Sequence, residues 1–211
     1  MPGVERRRRL KLASLVATLA LLTAIAAGGG TAVAKKRQAK SPTANVTVNA
    51  NQVVPPAPTP TSQGILTSTA VLGKKFKGRQ IDDVNVTLVG SASGAGSSIG
   101  VLNAKLTAPN GNTVLLFSDF LFGQTLGPLT LDDETPVFLN GGGTPSSDPE
   151  ALNAPYAGKA APSSPLIEMD GGPAKGVWTL KIRNEDNNAA HVHTLASWTL
   201  QVKTHAPFVT K

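Results

Sequence analysis

Cysteine is absent from the 211 residues. That excludes disulfides and cysteine-ligated metals, and leaves packing or oxygen-ligated ions to hold the fold together. Aromatic residues are scarce at 4%, with two tryptophans and one tyrosine, so each tryptophan carries an unusual share of any core. Beyond the first thirty or so positions no window repeats apolar residues with a helical period of 3.6. An excess of one charge is also missing where it would matter. The formal net charge is +7, yet residues 41–211 hold 11 basic against 12 acidic side chains. A near-neutral folded part gives a nucleic-acid surface no support. What the chain has in quantity is punctuation: 21 glycines and 16 prolines favour many short strands over long helices.

The excess positive charge sits at the N-terminus. Arg6-Arg7-Arg8-Arg9-Leu10-Lys11 is a basic head, residues 12–27 form an apolar run of 16, and Ala32-Val33-Ala34 is a small-x-small motif. This three-part pattern is that of a secretory signal cleaved after Ala34. Gly28-Gly29-Gly30 keeps the apolar run below the ~20 residues of a membrane span, so cleavage is expected rather than anchoring. The folded part is then expected outside the cytoplasm, as a secreted protein of bacterial type with no stable membrane span. General secretion and twin-arginine export both fit the basic head.

Residues 35–64 are rich in Lys, Ala, Thr, Pro, Asn and Gln and include Val53-Val54-Pro55-Pro56-Ala57-Pro58-Thr59-Pro60. A Pro/Thr run with few large apolar residues is expected to be a disordered linker. One domain over residues 65–205 follows, of ordinary single-domain size. Asn45-Val46-Thr47 and Asn85-Val86-Thr87 match the N-glycosylation pattern, which carries little weight in a bacterial protein.

Within the domain, Ile65 to Leu72 is a strand candidate. Val84-Asn85-Val86-Thr87-Leu88 alternates with its valines and leucine on one face. Residues 90–98 are Gly, Ser and Ala and read as a flexible loop. Val101 to Ala108 alternates again, and Pro109-Asn110-Gly111-Asn112 turns the chain into Thr113-Val114-Leu115-Leu116-Phe117, which makes a hairpin. Leu129-Thr130-Leu131 and Pro136-Val137-Phe138-Leu139 flank the acidic run Asp132-Asp133-Glu134. Residues 140–165 are irregular and long enough to wrap an edge. The most informative pair closes the domain: Val177-Trp178-Thr179-Leu180-Lys181-Ile182 and Ser197-Trp198-Thr199-Leu200-Gln201-Val202. In each, the tryptophan shares a face with the Leu and Ile or Val at two-residue spacing. That phase puts both indoles in the core rather than on a sugar-stacking surface. The two strands either pair or sit on facing sheets. About seven short strands need two layers to cover their apolar faces, so the fold class is all-β, a β-sandwich.

The order of these motifs resembles the P domain, or P/Homo B domain, which follows the subtilisin-like catalytic domain in kexin- and furin-like proprotein convertases. Asp83-Val84-Asn85-Val86-Thr87-Leu88 is similar to that family's first core strand. The segment from Leu102 to Asn112 is similar to its leucine-rich strand and turn, and Leu131-Asp132-Asp133-Glu134 to its Phe-Asp-Asp-Glu segment. Gly176-Val177-Trp178-Thr179-Leu180 and Leu195-Ala196-Ser197-Trp198-Thr199-Leu200 resemble its two tryptophan strands. The chain departs from the family at Gly100-Val101-Leu102, where the family has Gly-Asp-Leu, and in the loop from Asn184 to His193. The resemblance implies a jelly-roll sandwich, similar to galactose-binding-like domains. It also implies a non-catalytic accessory, stabilising or interaction role beside a subtilisin-like serine protease. A cell-surface carbohydrate- or Ca²⁺-binding jelly roll, with a cell-surface component as partner, is the alternative.

No catalytic residues are assigned. The only histidines are His191, His193 and His205, all near the end, and the Gly-x-Ser-x-Gly match at Gly96-Ser97-Ser98-Ile99-Gly100 falls in a flexible Gly/Ser loop rather than in a catalytic-serine context. The candidate metal ligands are Asp132, Asp133 and Glu134, with Asn184 and Asp186 as a second partial set. These are hard oxygen donors of the kind Ca²⁺ gathers six to eight at a time. His191 and His193 could share a face but make an incomplete site for Zn²⁺ or Cu²⁺. Tyr156 is the one loop aromatic able to stack on a sugar.

Overall fold

The computed structural model describes residues 41–118, 121–140 and 146–206. The expected signal at 1–34, and the start of the expected linker, lie outside the described residues. Eleven strands occur among them, with three short 3-10 turns: β1 Thr43–Val54, β2 Gly64–Leu72, β3 Gln80–Ser93, β4 Leu102–Thr107, β5 Thr113–Ser118, β6 Thr125–Leu131, β7 Phe138–Leu139, β8 Ala151–Leu152, β9 Gly158–Ala160, β10 Gly176–Asn184 and β11 Val192–His205. A five-stranded sheet runs β1-β11-β3-β6-β9, a four-stranded sheet runs β2-β10-β4-β5, and β7 and β8 form a small pair. No helix among the described residues is long and apolar enough to cross a membrane.

The tryptophan strands do not pair with each other. β10 lies between β2 and β4 in one sheet, and β11 lies between β1 and β3 in the other. Trp178, Leu180 and Ile182 therefore meet Trp198, Leu200 and Val202 from opposite layers, and all six are buried. Burying one such side chain is worth about 1.5–3 kcal/mol, so this pair of strands is a large part of the core. Each indole N–H has a partner: Trp178 Nε1 donates to the Ala174 carbonyl at 3.1 Å, and Trp198 Nε1 donates to Ser68 Oγ on β2 at 2.9 Å. The second bond ties the five-stranded sheet to the four-stranded one through the interior.

The expected linker is corrected by β1. Residues 43–54 pair with β11 along their whole length, interrupted by one bulge between Asn49 and Gln52. Ala44 and Val54 are buried, and Val46, Val48 and Ala50 pack against the core. An edge strand covers only one neighbour and can do so with alanine and valine, so large apolar residues were not needed. The proline run that follows is also held: Ala57 is buried, and its N–H donates to the Asp186 carbonyl at 2.7 Å. Gly64 starts β2 so close to the Pro55 carbonyl that a Cβ would collide with it, which closes the connection tightly. The domain thus begins at about residue 43, not 65.

The expected flexible loop is shorter than residues 90–98, because β3 continues through Ser93 and pairs with Val192 to Leu195 of β11. The irregular segment after residue 140 does wrap an edge: β9 adds in parallel to β6 at the border of the five-stranded sheet. Both sheets carry a threonine row on their outer faces. Thr47, Thr199, Thr87 and Thr130 align across β1, β11, β3 and β6. Thr69, Thr179, Thr107 and Thr113 align across β2, β10, β4 and β5. Hydroxyl pairs in these rows lie at 2.8–2.9 Å, at Thr47–Thr199, Thr87–Thr130 and Thr107–Thr113. Such cross-strand pairs contribute roughly 0.2–1 kcal/mol each relative to alanines.

Candidate functional site: an acidic pocket

The pairing of β3 with β6 builds the main cluster. Val86 faces Leu131 in an antiparallel register, so the chain leaving β6 passes beside Val84 and Asp83. That places Asp133 and Glu134 against Asp83. One carboxylate oxygen from each of Asp83, Asp133 and Glu134 lies within 4.8 Å of the others. A third element closes the pocket. A 3-10 turn at Leu166–Met169 docks on the start of β3, with Gly171 N–H donating to Ile81 O and Ile81 N–H to Gly172 O, both at 2.9 Å. The turn brings Asp170 in, and Asp133 Oδ2 accepts from Ile167 N–H at 2.8 Å. Asp83, Val84, Asp133, Glu134, Ile167 and Asp170 line a cavity of about 120 Å³.

Two lysines flank it. Lys203 of β11 sits opposite Asp83 with its Nζ 2.5 Å from Oδ2. Lys159 of β9 reaches Asp132 Oδ2 at 2.9 Å. Asp132 is not among the residues lining the cavity, and its Oδ1 accepts from Glu134 N–H at 3.1 Å. Burial works against its charge, but the proton shared with Glu134, the Lys159 ammonium and the Glu134 N–H hold its carboxyl below the usual range. Glu134 is pushed up to about 7, first by that shared proton, then by burial and the negative charge of Asp83, Asp132 and Asp133. Asp170 is pushed up to about 6, mainly by burial and then by Asp133, Asp83 and Asp82. The pocket is thus crowded with carboxylates that resist being ionised together, a tension that a bound cation relieves.

Asn184 and Asp186 stand at the other end of the five-stranded sheet, where β10 leads to β11. Their polar atoms are engaged. Asn184 Oδ1 accepts from Asp186 N–H at 2.9 Å, and Asn184 Nδ2 donates to His193 Nδ1 at 3.1 Å. With His193 Nε2 bonded to the Ser98 carbonyl at 2.9 Å, this ring is a buried spacer between loops. Asp186 Oδ1 accepts from Asn188 N–H at 2.9 Å, and its Oδ2 takes a 2.6 Å bond from His191 Nδ1. His191 is raised above its ordinary value, first by its hydrogen bond to Asp186, against an opposing effect of burial and with the Ala95 carbonyl and the Asp186 charge adding to the rise. Asp186 is lowered: burial opposes its charge, but the Asn188 N–H and His191 outweigh it. Both histidines therefore tie the segment after β10 to residues 95–98, His191 through Asp186 and Ala95 and His193 through Asn184 and Ser98, and the arrangement is a latch between these loops.

The only loop aromatic expected to stack on sugar is not available for it. Tyr156 is buried, its hydroxyl accepting from Phe122 N–H and donating to the Asn140 carbonyl, both at 2.8 Å. Sequence reasoning found Asp133 and Glu134 and missed Asp83 and Asp170. Asp83 was readable as an outward position two residues before Asn85, but its meeting with Glu134 depends on the β3–β6 register.

No protein-family model matches the chain, and no curated protein matches it. Among solved structures it is similar to the Aeromonas sobria serine protease in complex with the chaperone, at 17% identity and a TM-score of 0.44 over 81% of this chain. It is similar to the Aeromonas sobria serine protease without it at 14% identity and a TM-score of 0.41, again over 81%. The chain spans 28% of the length of each of these solved chains.

Proposed function

We propose that the chain is an exported, non-catalytic accessory module of the P/Homo B kind that works beside a subtilisin-like serine protease. The observation that carries this reading is where the resembling segments lie. Asp83 to Leu88, Leu102 to Asn112, Gly176 to Ile182 and Leu195 to Leu200 are the central strands of the two sheets, and Leu131 to Glu134 ends β6 beside the first of them. The resemblance thus covers the core scaffold rather than a peripheral motif. The rings of His191 and His193 are committed to Asp186, Asn184 and backbone carbonyls, which supports a non-catalytic role.

Within this reading the acidic pocket is the calcium site, with Asp83, Asp133 and Glu134 as ligands and Asp170 at its rim. Its role is to neutralise the crowded carboxylates and fasten the 166–169 turn to β3. Calcium is expected to raise the melting temperature, and a chelator to lower it again. Asp133→Asn should abolish the calcium response, and an identical melt with and without calcium would remove this part of the reading.

The accessory role is tested by incubating the tagged chain with culture fluid of its source organism and identifying what it retains. A subtilisin-like protease, with altered protease half-life on adding the chain, is expected. Reproducible binding on a glycan array with no protease retained would overturn the reading in favour of a carbohydrate-binding module. Hydrolysis of casein or simple esters by the purified chain would overturn its non-catalytic part.

A further inference from the structure

The outer face of the four-stranded sheet has a composition that folding alone does not ask for. Lys181 of β10 stands directly opposite Lys105 of β4, and the next outward residue of β10 is Arg183. Like charges directly opposite on neighbouring strands destabilise a sheet. Among the described residues none of these three cations is in an ion pair. Glu185, just beyond β10, accepts from Gln63 Nε2 at 2.6 Å and Asn103 Nδ2 at 3.3 Å instead. Arg183 Nε is shielded from solvent and has no hydrogen-bond partner. Among the same outward positions are aliphatic side chains: Val71 is 62% exposed, Val177 opposite it 52%, and Ile65 48%. At the Leu72/Gly176 end of the same two strands lie Lys74, Lys75, Lys77 and Lys175. The lysines of the five-stranded sheet, Lys159 and Lys203, are by contrast in ion pairs.

We infer that this face is a docking surface for an acidic, partly apolar face of another protein. Charge complementarity decides the sign of the partner, since Lys105, Lys181 and Arg183 make no ion pair among the described residues and outnumber Glu185 at their edge. The exposed valines and isoleucine decide its class. A glycan would call for an exposed aromatic platform, and the outward residues of β2, β10, β4 and β5 include no aromatic, Trp178 and Phe117 being buried. A lipid surface would call for an inserting apolar loop, whereas this is a flat sheet face crossed by a threonine row. Four strands at about 4.8 Å spacing and four outward rows at about 6.8 Å give a face of about 520 Å². That is below the roughly 800 Å² a side of a standard stable interface, so the complex is transient and strongly salt-dependent.

The inference stands apart from the accessory-module reading, because the surface exists whichever protein it meets. Its test is an NMR titration of the full chain with a synthetic peptide alternating Glu and Val. Amide shifts confined to β2, β4 and β10 are expected, with affinity falling at least tenfold from about 50 to about 300 mM salt. The double variant Lys105→Gln/Lys181→Gln should lose at least about tenfold in affinity while its melting temperature holds or rises, since it relieves the like-charge pair. No peptide binding, unchanged binding by the double variant, or shifts elsewhere would overturn the inference. So would tighter binding to dextran sulfate or to phosphatidylglycerol vesicles than to the peptide. Self-association that the double variant abolishes would assign the face to a second copy and overturn it too. Failure here leaves the protease-retention test untouched, and failure of that test leaves this surface standing.

Discussion

Ser68 shows how much can rest on one hydroxyl. It is a small polar residue on the buried side of β2, and its Oγ is the acceptor for the Trp198 indole. Ser68→Ala would strand a buried N–H and is expected to cost about 1–3 kcal/mol, read as a lower urea midpoint at unchanged slope. Leu180→Ala removes a fully buried side chain between the sheets and is expected to cost about 2–5 kcal/mol in the same assay. Both sites were half legible in the chain. The two-residue alternation around Trp178 and Trp198 announces burial, but the partner of each indole depends on which strands end up neighbours. The acidic pocket divides the same way. Asp133 and Glu134 stand out as a local run, while Asp83 and Asp170 join them only through the β3–β6 register and the 166–169 turn.

At the scale of elements, strands with clean alternation and turn chemistry were legible: β2, β4, the Pro109 to Asn112 turn, β5, β10 and β11. The strand that was not is β1. Its inward residues Ala44, Val46, Val48 and Ala50 do alternate, but they are small, and their neighbours are the Thr and Asn typical of linkers. Its stability comes from β11, some 150 residues away, and local composition cannot report a distant edge. A chain starting at residue 65 should therefore lose more than a tail. With β1 gone, β11 becomes an unpaired edge and Val202, Leu200 and Trp198 lose cover. Such a truncation is expected to bind the dye ANS and lose its cooperative melt, while one starting at residue 41 should melt like the full chain.

For the whole molecule, the titrating groups set a direction with pH. Glu134 and Asp170 hold their protons more tightly folded than unfolded. Their contribution to stability is complete below about pH 4 and lost as pH rises through about 6 and 7. His191 is also raised, so what it adds is present below pH 6.5 and fades above it. Asp132 and Asp186 are lowered and act oppositely, contributing above their ordinary pKa and losing that as acid protonates them. The melting temperature is thus expected to rise from pH 8 to about pH 5 and to fall below about pH 4. A flat profile between pH 8 and 5 would contradict the carboxylate crowding at Asp83. Calcium, if it fills the pocket as proposed, should flatten the neutral side of this profile and leave the acid side alone.

One tryptophan to a layer also makes the molecule its own optical instrument. Trp178 reports on the sheet of β2 and β10, and Trp198 on the sheet of β1 and β11, each from a dry site with a different hydrogen-bond acceptor. Trp178→Phe and Trp198→Phe would each leave a single emitter. If the two layers separate together on unfolding, the emission maxima of both variants shift to the red along one denaturant curve. If the β1 edge opens first, the Trp198 signal moves ahead of the other, and the order in which the sandwich comes apart can be read from its colour.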